Sequence, residues 1–344
     1  MKKPKYLKTS FWKRKIKEII IKIFLLDFFL LKLKKNTNNK KVLIITLDAL
    51  GDNVIKNKTI KIIEYYFGKE NTYILCKNKW EIIYKIQGYS NIFVDETKWS
   101  VLYKIKLYRK LNKIGFGTIV VLNHSFLPPE VEYIIGGKKY DMSEDVQYIL
   151  EKHLIILNKI FNIKYSLDDI KPDFNIFFPR TKYKNVITIA VGTADYPKTP
   201  TYENLRKYIE SILRLENNKI IYLLGTGNKQ YKVANKLEKY FATHRVVNVV
   251  DKLDLKEVMQ VIKDSDLFIG GDSGLYNIAF ALGVKTICLH WKKNYPLWEH
   301  KSENVVILKG AGGEKFDNLE SGTDVLNSIT VQQLEAAIEK LGVK

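Results

Sequence analysis

The chain has 344 residues, of which 46% are hydrophobic and 27% are charged. This balance is typical of a folded globular protein and excludes a largely disordered one, and the length predicts about two domains. The net charge of +20 raises the question of a polyanionic partner, yet only six of the 57 basic residues are arginine. Nucleic-acid-binding proteins favour arginine for bidentate contacts with bases and phosphates, so no nucleic-acid partner is expected.

The basic excess is concentrated at the N-terminus, where residues 1–41 hold fourteen basic side chains and two acidic ones. We interpret residues 1–40 as a basic amphipathic extension. Its apolar core, Ile19–Leu31, contains two charged residues and is shorter than the ~20 apolar residues that a membrane-spanning helix needs. Two interpretations stay open for residues 11–35: a helix lying on an anionic membrane surface, with its lysines at the headgroups, or a helix packed on the protein itself.

From residue 41 onwards, apolar β-branched segments alternate with segments of helical period, which predicts a parallel sheet covered by helices on both faces. We assign residues 41–170 to a first Rossmann-like domain on this basis. The predicted elements are, in order, a strand Lys41–Leu47, a turn and helix ending at Gly68, a strand Thr72–Cys76, a helix over residues 79–86, a strand Asn91–Asp95, a helix Trp99–Ile114, a strand Phe116–His124 and a helix Ser143–Phe161 with Ser143 as N-cap.

Residues 168–185 contain two prolines and show no clear period, which predicts a linker between domains. The alternation then resumes over residues 186–330, the second predicted domain, and a C-terminal helix is predicted within residues 331–344. Strands are predicted over residues 185–192, 219–227, 245–251, 266–271 and 285–291, and helices over residues 204–215, 229–241, 253–265, 275–283 and 331–342. Ligands of such sheets bind at the carboxyl ends of the strands, so the cleft between the two domains is the expected active site.

Four predicted strand ends carry glycines, hydroxyls or acids just before a helix. Each such turn can direct backbone N–H groups and the positive end of a helix at an anion, although ordinary turn chemistry explains any one of them. None has the G-x-G-x-x-G or P-loop spacing, so no nicotinamide cofactor is expected. The candidate residues are Asp48, Gly51 and Asp52 after the first strand, Thr193 after the first strand of the second domain, Gly225, Thr226 and Gly227 after the next, and Asp272, Ser273 and Gly274 after a later one.

The cysteines and histidines give no sign of a metal site. Cys76 and Cys288 are far apart and are expected to be buried free thiols. The five histidines are dispersed, and no pair has metal-ligand spacing, so neither a metal nor a cofactor is expected. His124 and His290 lie at predicted strand ends, where a role in the cleft is open.

Two segments resemble signatures of one known family. The stretch "VLIITLDALGDNVIKNKTIKII" (residues 42–63) and the stretch "LFIGGDSGLYNIAFALGVKTICLHW" (residues 267–291) are similar to glycosyltransferase family 9, which includes the ADP-heptose:lipopolysaccharide heptosyltransferases. The resemblance extends in order and spacing over residues 41–342. It implies a GT-B fold, meaning two Rossmann-like domains with an interdomain cleft, with the nucleotide-sugar donor mainly on the second domain, and an inverting reaction that needs no metal.

The resemblance also implies roles for single residues. Asp52 matches the family's catalytic acid and would accept the proton of the acceptor hydroxyl. Asp272, Ser273 and Gly274 match the turn that binds the diphosphate of the sugar donor, and Lys198 lies near the position of a family lysine that neutralises the phosphates.

Other positions are weaker matches. Asn277 is expected to bind the sugar donor, but it stands where the family often has histidine. Thr226–Lys232 lacks the acids that the family often places near the ribose, so the identity of the sugar donor is open. Thr193 and the Gly225–Gly227 turn complete the expected phosphate-binding residues. Asp48, Gly51 and His124 are the candidates on the acceptor side.

The resemblance predicts an enzyme that moves a sugar, most simply heptose, from an ADP-heptose-like donor to an anionic lipopolysaccharide, lipooligosaccharide or other surface glycan. Such an enzyme would work as a peripheral protein on the cytoplasmic face of the inner membrane, with residues 11–35 on the anionic surface. The alternatives are a transferase of a different sugar and a non-catalytic GT-B protein that binds nucleotide sugars or glycans.

Overall fold

The computed structural model describes most of the chain beyond its N-terminal extension. The described residues are 15–16, 19–20, 38–95, 101–124, 127–128, 131–132, 134, 136–142, 146–179, 181–193, 198–291, 296–311 and 321–343. The chain divides into two compact units, which are called the first and second unit below. The first unit comprises Met1–Asp48, Thr59–Glu144 and Lys152–Ser166, and the second comprises Ala49–Lys58, Asp145–Glu151 and Leu167–Lys344.

The first half of the chain alternates strands and helices as the sequence predicts. Its elements are β1 (Asn38–Thr46), α1 (Leu50–Ile55), α2 (Asn57–Phe67), β2 (Thr72–Lys77), α3 (Glu81–Ile86), β3 (Ile92–Asp95), α4 (Val101–Ile114), β4 (Phe116–Val121), β5 (Gly136–Asp141) and α5 (Ile149–Phe161).

The second half continues the alternation. Its elements are β6 (Val186–Ala190), α6 (Tyr202–Leu215), β7 (Ile220–Leu224), α7 (Asn228–Phe241), β8 (Val246–Asn248), α8 (Leu255–Lys263), β9 (Leu267–Gly271), α9 (Gly274–Ala281), β10 (Thr286–His290), β11 (Val305–Lys309), α10 (Ser321–Asn327) and α11 (Val331–Lys340).

The first unit is built on a parallel sheet whose described strands lie in the order β3-β2-β1-β4-β5. Residues 42–45 of the central strand β1 have no exposed surface. A continuous apolar run of this kind is expected where both faces of a parallel sheet are covered. The core of this unit joins β1 and β4 to α4 through Leu43, Ile45, Tyr108, Leu111, Phe116 and Val121.

The second unit is built on a second parallel sheet, with the described strands in the order β11-β10-β9-β6-β7-β8. Local sequence signals fix several of its helices. Thr201 accepts a hydrogen bond from the Asn204 N–H at the start of α6. Reciprocal capping boxes begin α8 at Asp254 and α11 at Thr330. Each such cap satisfies backbone donors that a helix start otherwise leaves unbonded.

Two strands and one helix were not predicted. β5 reads "GGKKYD", in which the lysines are exposed, so it lacks an apolar run. β11 is an edge strand that is only half-buried. Both are strands because β4 and β10 supply hydrogen-bond partners along their length. Helix α10 (Ser321–Asn327) was also missed.

Two predicted boundaries were wrong. Helix α5 begins at Ile149, whereas the sequence predicted a start at Ser143, which lies outside the described residues; residues 146–148 are described and are not helical. The predicted linker over 168–185 also belongs to the second unit. There the Phe174 N–H donates to the Ala281 carbonyl at 2.8 Å, and Phe174 is fully buried. The prediction relied on the absence of a regular period, but buried aromatic side chains such as Phe174 and Phe178 anchor the segment without one.

The N-terminal extension lies almost entirely outside the described residues. Residues 15–16 and 19–20 are helical and exposed, among them Ile16 and Ile19. In the part of the chain that the structure describes, no helix combines the length and the apolar character needed to cross a bilayer.

Candidate active site

Strand order defines where a ligand can bind in the second unit. β6 is the first strand of its sheet, and it pairs with β7 on one side and β9 on the other. The chain therefore leaves the carboxyl ends of these strands in opposite directions, which opens the crevice where doubly wound sheets bind ligands. The residues at this crevice are Thr193 after β6, the Gly225–Gly227 turn after β7 and the Asp272–Gly274 turn after β9.

The turn after β9 holds a positive charge in place. Lys198 Nζ lies 3.3 Å from Asp272 Oδ2, and Asp272 is 4% exposed. The same Nζ lies 5.6 Å from the centroid of the Trp291 ring, within cation–π range. A Cβ at Gly271 would lie 2.8 Å from the Lys198 carbonyl oxygen, so glycine is needed for the two segments to approach. An ammonium group has three N–H donors, so Lys198 can hold Asp272 and still face an anion.

Ser273 adds a hydroxyl at the start of α9. It is the N-cap residue with extended backbone and no side-chain capping bond. Its Oγ is buried and has no hydrogen-bond partner among the described residues. The first turn of a helix directs N–H groups and positive potential outwards. Lys198, Ser273 and the start of α9 thus converge on one crevice with the chemistry that a diphosphate requires.

The turn after β7 has similar residues but different bonding. The Thr226 N–H donates to Gln230 Oε1 at 3.0 Å, and the Gly227 N–H donates to both carboxylate oxygens of Asp251 at 2.9–3.0 Å. The Thr226 hydroxyl also donates to Asp251, at 2.9 Å. Gln230 Nε2 in turn donates to the Thr193 carbonyl at 3.0 Å. The polar groups that were assigned to phosphate are here bonded within the protein.

Helix α1, which carries Asp52, belongs to the second unit although it follows the first strand of the other unit. It packs on α9, the helix after the Asp272–Gly274 turn. A Cβ at Gly51 would overlap Asn277 Nδ2, and a Cβ at Gly274 would lie 3.2 Å from Leu50 Cβ. Asp52 is in the first turn of α1 and is 7% exposed. The structure therefore brings Asp52, Gly51, Asn277 and the Asp272–Gly274 turn together in one unit.

Asp48 and His124 lie in the first unit and form a structural link. Asp48 has no exposed surface, and its carboxylate accepts hydrogen bonds from Asn123 Nδ2 at 3.0 Å and from the His124 backbone N–H at 3.1 Å. Asn123 Oδ1 accepts from the Leu47 N–H at 2.6 Å. These bonds tie the ends of β1 and β4, so Asp48 supports the strand ends.

Three residues near Asn277 and the β7 turn were not predicted from the sequence: His300, Tyr148 and Gln230. His300 is 2% exposed, and its Nε2 lies 2.7 Å from Asn277 Oδ1; its Nδ1 lies 3.3 Å from the Tyr148 hydroxyl. Gln230 was missed as well. No motif marks them, because each is recognised only by its spatial neighbours.

The cysteines and the remaining histidine candidate are buried. Cys76 and Cys288 are free thiols, and burial raises the pKa of both well above the usual range. His290, at the end of β10, is 1% exposed. Within the described ranges, no group of three or more His, Cys, Asp or Glu side chains has a metal-binding arrangement.

Comparison with known proteins concerns the enzyme family and the fold. Residues 164–321 match Glycosyltransferase family 9 (heptosyltransferase). The chain is 22% identical over 280 residues to lipooligosaccharide heptosyltransferase 2 of Campylobacter jejuni, covering 75% of this chain and 84% of that protein. It is 32% identical over 149 residues to lipopolysaccharide heptosyltransferase 1 of Campylobacter coli, covering 39% and 42%.

A solved structure extends the comparison to nearly the whole fold. The structure of E. coli heptosyltransferase WaaC with ADP superposes with a TM-score of 0.70 at 14% identity, covering 88% of this chain and 99% of that one. The fold is therefore GT-B, with two Rossmann-like units, and the chain is a glycosyltransferase. Residues 164–321 carry its similarity to the heptosyltransferases of glycosyltransferase family 9.

Proposed function

We propose that this enzyme transfers heptose from an ADP-heptose-like donor to a lipopolysaccharide or lipooligosaccharide acceptor, with inversion and without an essential metal. Support for the sugar and the acceptor comes from the Campylobacter heptosyltransferases to which the chain is similar. Because their identity to this chain is low, a different sugar remains the second candidate. Asn277 supports this second candidate, because the family often has histidine at that position.

The observation that carries the proposal is the packing of α1 on α9. It combines in one unit a carboxylate, Asp52, and a turn with the Lys198–Asp272 ion pair and the Ser273 hydroxyl. A displacement on an anomeric carbon needs a base for the attacking hydroxyl and positive groups for the departing diphosphate. Both sets of groups are present.

The proposed chemistry is a single displacement. The acceptor hydroxyl oxygen forms a bond to the anomeric carbon while its proton passes to the Asp52 carboxylate. The bond between that carbon and the diphosphate oxygen breaks, and the nucleoside diphosphate leaves with the electron pair. Lys198, Ser273 and the N–H groups at the start of α9 would stabilise the charge that develops on the diphosphate.

The decisive experiment replaces Asp52 with asparagine. Because general-base catalysis contributes about 10²–10⁴-fold, Asp52→Asn should lower kcat by that factor while ADP affinity, measured by calorimetry, stays within about 2-fold. Asp254→Asn is the matched control, since that exposed carboxylate caps α8 and asparagine caps a helix equally well; it should leave kcat and ADP affinity near the wild-type values. An Asp52→Asn enzyme with full activity would exclude Asp52 as the base.

The sugar donor, stereochemistry and metal requirement have separate tests. Release of free nucleoside diphosphate from a panel of nucleotide sugars should be fastest with ADP-heptose, and another preferred donor would correct the sugar. NMR of the product should show the anomer opposite to that of the donor. Transfer should persist in EDTA, whereas loss that Mg²⁺ restores would overturn metal independence.

We further propose that residues 11–35, which lie largely outside the described residues, bind the anionic cytoplasmic face of the inner membrane. Support comes from the fourteen basic residues of residues 1–41 and the apolar side chains among them. Vesicles with anionic lipids should co-float with the full chain, and deletion of residues 1–35 should abolish flotation. Equal flotation of both proteins would exclude this segment as the membrane contact.

A further inference from the structure

A buried imidazole lies behind the α1–α9 contact, and it has no role in the proposed chemistry. The His300 ring stacks on Phe280 of α9, with centroids 3.9 Å apart and planes 8° apart, and on Tyr276 one turn earlier at 5.1 Å. The His300 backbone N–H donates to the Tyr276 hydroxyl at 3.2 Å. All these residues belong to the second unit. These contacts hold the ring in position independently of the hydrogen bonds that its nitrogens make.

The hydrogen bonds of the ring nitrogens have one consistent direction. The Tyr148 hydroxyl can donate its proton to His300 Nδ1, 3.3 Å away. Nδ1 is then the acceptor, and the ring proton resides on Nε2, which donates to Asn277 Oδ1 at 2.7 Å. Burial lowers the pKa of His300 to about 3, which keeps the ring neutral, as this pattern requires.

This direction determines how the Asn277 amide is oriented. With Oδ1 bonded to His300, the amide nitrogen Nδ2 points the other way, and it occupies the space that a Cβ at Gly51 would need. Gly51 immediately precedes Asp52 in the first turn of α1. A chain of contacts therefore runs from Tyr148 through His300 and Asn277 to the backbone that carries Asp52.

We propose that His300 is a positioning residue for Asp52: held by Tyr148, it fixes the Asn277 amide, and that amide sets the position of the first turn of α1 on α9. The inference rests on the proposed function, because it requires Asp52 to act as the base. Small displacements of a catalytic group are sufficient to slow a reaction, since efficient transfer needs near-attack geometry. His300 itself touches neither substrate nor reacting atoms.

The kinetic test is a double-mutant cycle with ADP-heptose as the sugar donor. His300→Phe keeps an aromatic ring in the stack and removes the Nε2 donor, and we expect kcat to fall about 10-fold with ADP affinity unchanged. If His300 acts through Asn277, the same substitution in an Asn277→Ala background should cause no further fall in kcat. Independent, multiplying effects on kcat would overturn the inference. His300→Gln, whose amide can donate to Asn277, should recover part of kcat.

Two controls separate positioning from a purely structural role. His244 is exposed, and His244→Phe should leave kcat and thermal stability unchanged. Thermal melts of each variant show whether it folds. If His300→Phe does not fold, Tyr148→Phe takes its place in the cycle, because it removes the proton donor to Nδ1 and keeps the ring. A fall in melting temperature without a fall in kcat would assign His300 to stability alone.

NMR of protein with ¹⁵N-labelled histidine tests the hydrogen bonds without turnover. At pH 7, His300 should carry its proton on Nε2 and show no titration down to pH 5. A proton on Nδ1, or a cationic ring in that range, would contradict the inference. If the proposed function is wrong, the wild-type enzyme will transfer no sugar. If only the inference is wrong, the wild type will be active and the effects of the His300 and Asn277 substitutions on kcat will be independent.

Discussion

The turns after β7 and after β9 look alike in sequence and differ in the structure. Both join a buried parallel strand to a helix in the second unit, and both contain glycine and a hydroxyl residue. After β7, the polar groups of Thr226 and Gly227 are bonded to Gln230 and Asp251. After β9, Lys198 is held beside Asp272, and the Ser273 hydroxyl has no hydrogen-bond partner among the described residues.

The different bonding of these two turns shows that the residue composition of a turn does not identify a phosphate site. A buried hydroxyl without a partner is unfavourable, so its presence is a stronger indication of a ligand than glycine content. A turn whose donors are already bonded within the protein contributes to stability instead. We therefore expect substitutions after β9 to alter ligand binding and transfer, and substitutions after β7 to alter the free energy of unfolding.

The largest effect should come from Lys198. Lys198→Met removes the ammonium that would face the diphosphate, and loss of one such electrostatic contact lowers kcat/KM by about 10²–10³-fold. Lys229→Met is the matched control, since Lys229 is an exposed lysine in the first turn of α7, after the other turn. It should change kcat/KM by less than about 3-fold. Equal losses in the two variants would remove the distinction between the turns.

The second effect concerns Asp251 and the stability of the β7 turn. Asp251 has φ of 58°, where alanine is strained, and its carboxylate holds Thr226 and Gly227. Asp251→Ala should lower the free energy of unfolding by about 2 kcal/mol through strain and lost hydrogen bonds together. Asp251→Gly relieves the strain, so it should lose about half as much. Denaturant unfolding measures both, and ADP affinity should change in neither.

A third effect is the pH dependence that His300 gives to the region behind the β9 turn. Its folded pKa of about 3 is below the unfolded value of about 6.5, so the unfolded chain binds more protons between these values. The contribution to stability is complete above about pH 6.5 and decreases as pH falls towards 3, by at most about 1.4 kcal/mol per pH unit.

Denaturant unfolding at pH 7.5 and pH 5 checks this. His300→Phe should lose less stability on acidification than the wild type, and the exposed-site variant His244→Phe should behave as the wild type does. Identical pH profiles for His300→Phe and the wild type would show that another group titrates. The neighbouring Tyr148 and Tyr276 have pKa values raised by burial, so they stay neutral over this range.

The smallest effect is also the most direct comparison of the two turns. Ser273→Ala removes a hydroxyl that has no bond to lose among the described residues, so stability should stay the same while ADP affinity falls about 2- to 10-fold. Thr226→Val removes the bond to Asp251, so it should lower the free energy of unfolding by about 1 kcal/mol and leave ADP affinity unchanged. Calorimetry measures the ADP affinity of both variants, and denaturant unfolding measures their free energy of unfolding. A reversed pattern would contradict the distinction between the two turns.

Much of the fold could be predicted from local sequence. β1, β2, β6 and β9 contain mainly apolar, β-branched runs, and burial on both faces of a parallel sheet demands that pattern. β5 and β11 could not be predicted, because their strand character comes from the neighbouring strands with which they pair. The start of α5 was misplaced for a similar reason: a candidate N-cap and acidic residues at 143–145 resemble a helix start without requiring one.

Part of the candidate site could likewise be predicted from the sequence, and part could not. The sequence by itself determined an alternating α/β chain, and through its resemblance to family 9 it pointed to Asp52 and to the Asp272–Gly274 turn, because acids and glycines at strand ends are local signals. Only the tertiary structure decided that α1 belongs with the second unit and that the β7 turn is bonded within the protein. It alone also brought His300 to Asn277. Those relations join residues from 23 positions apart, for His300 and Asn277, to 226 positions apart, for Asn277 and Gly51. A hydrogen bond or a packing contact depends on distance in space, which the spacing of residues along the chain does not record.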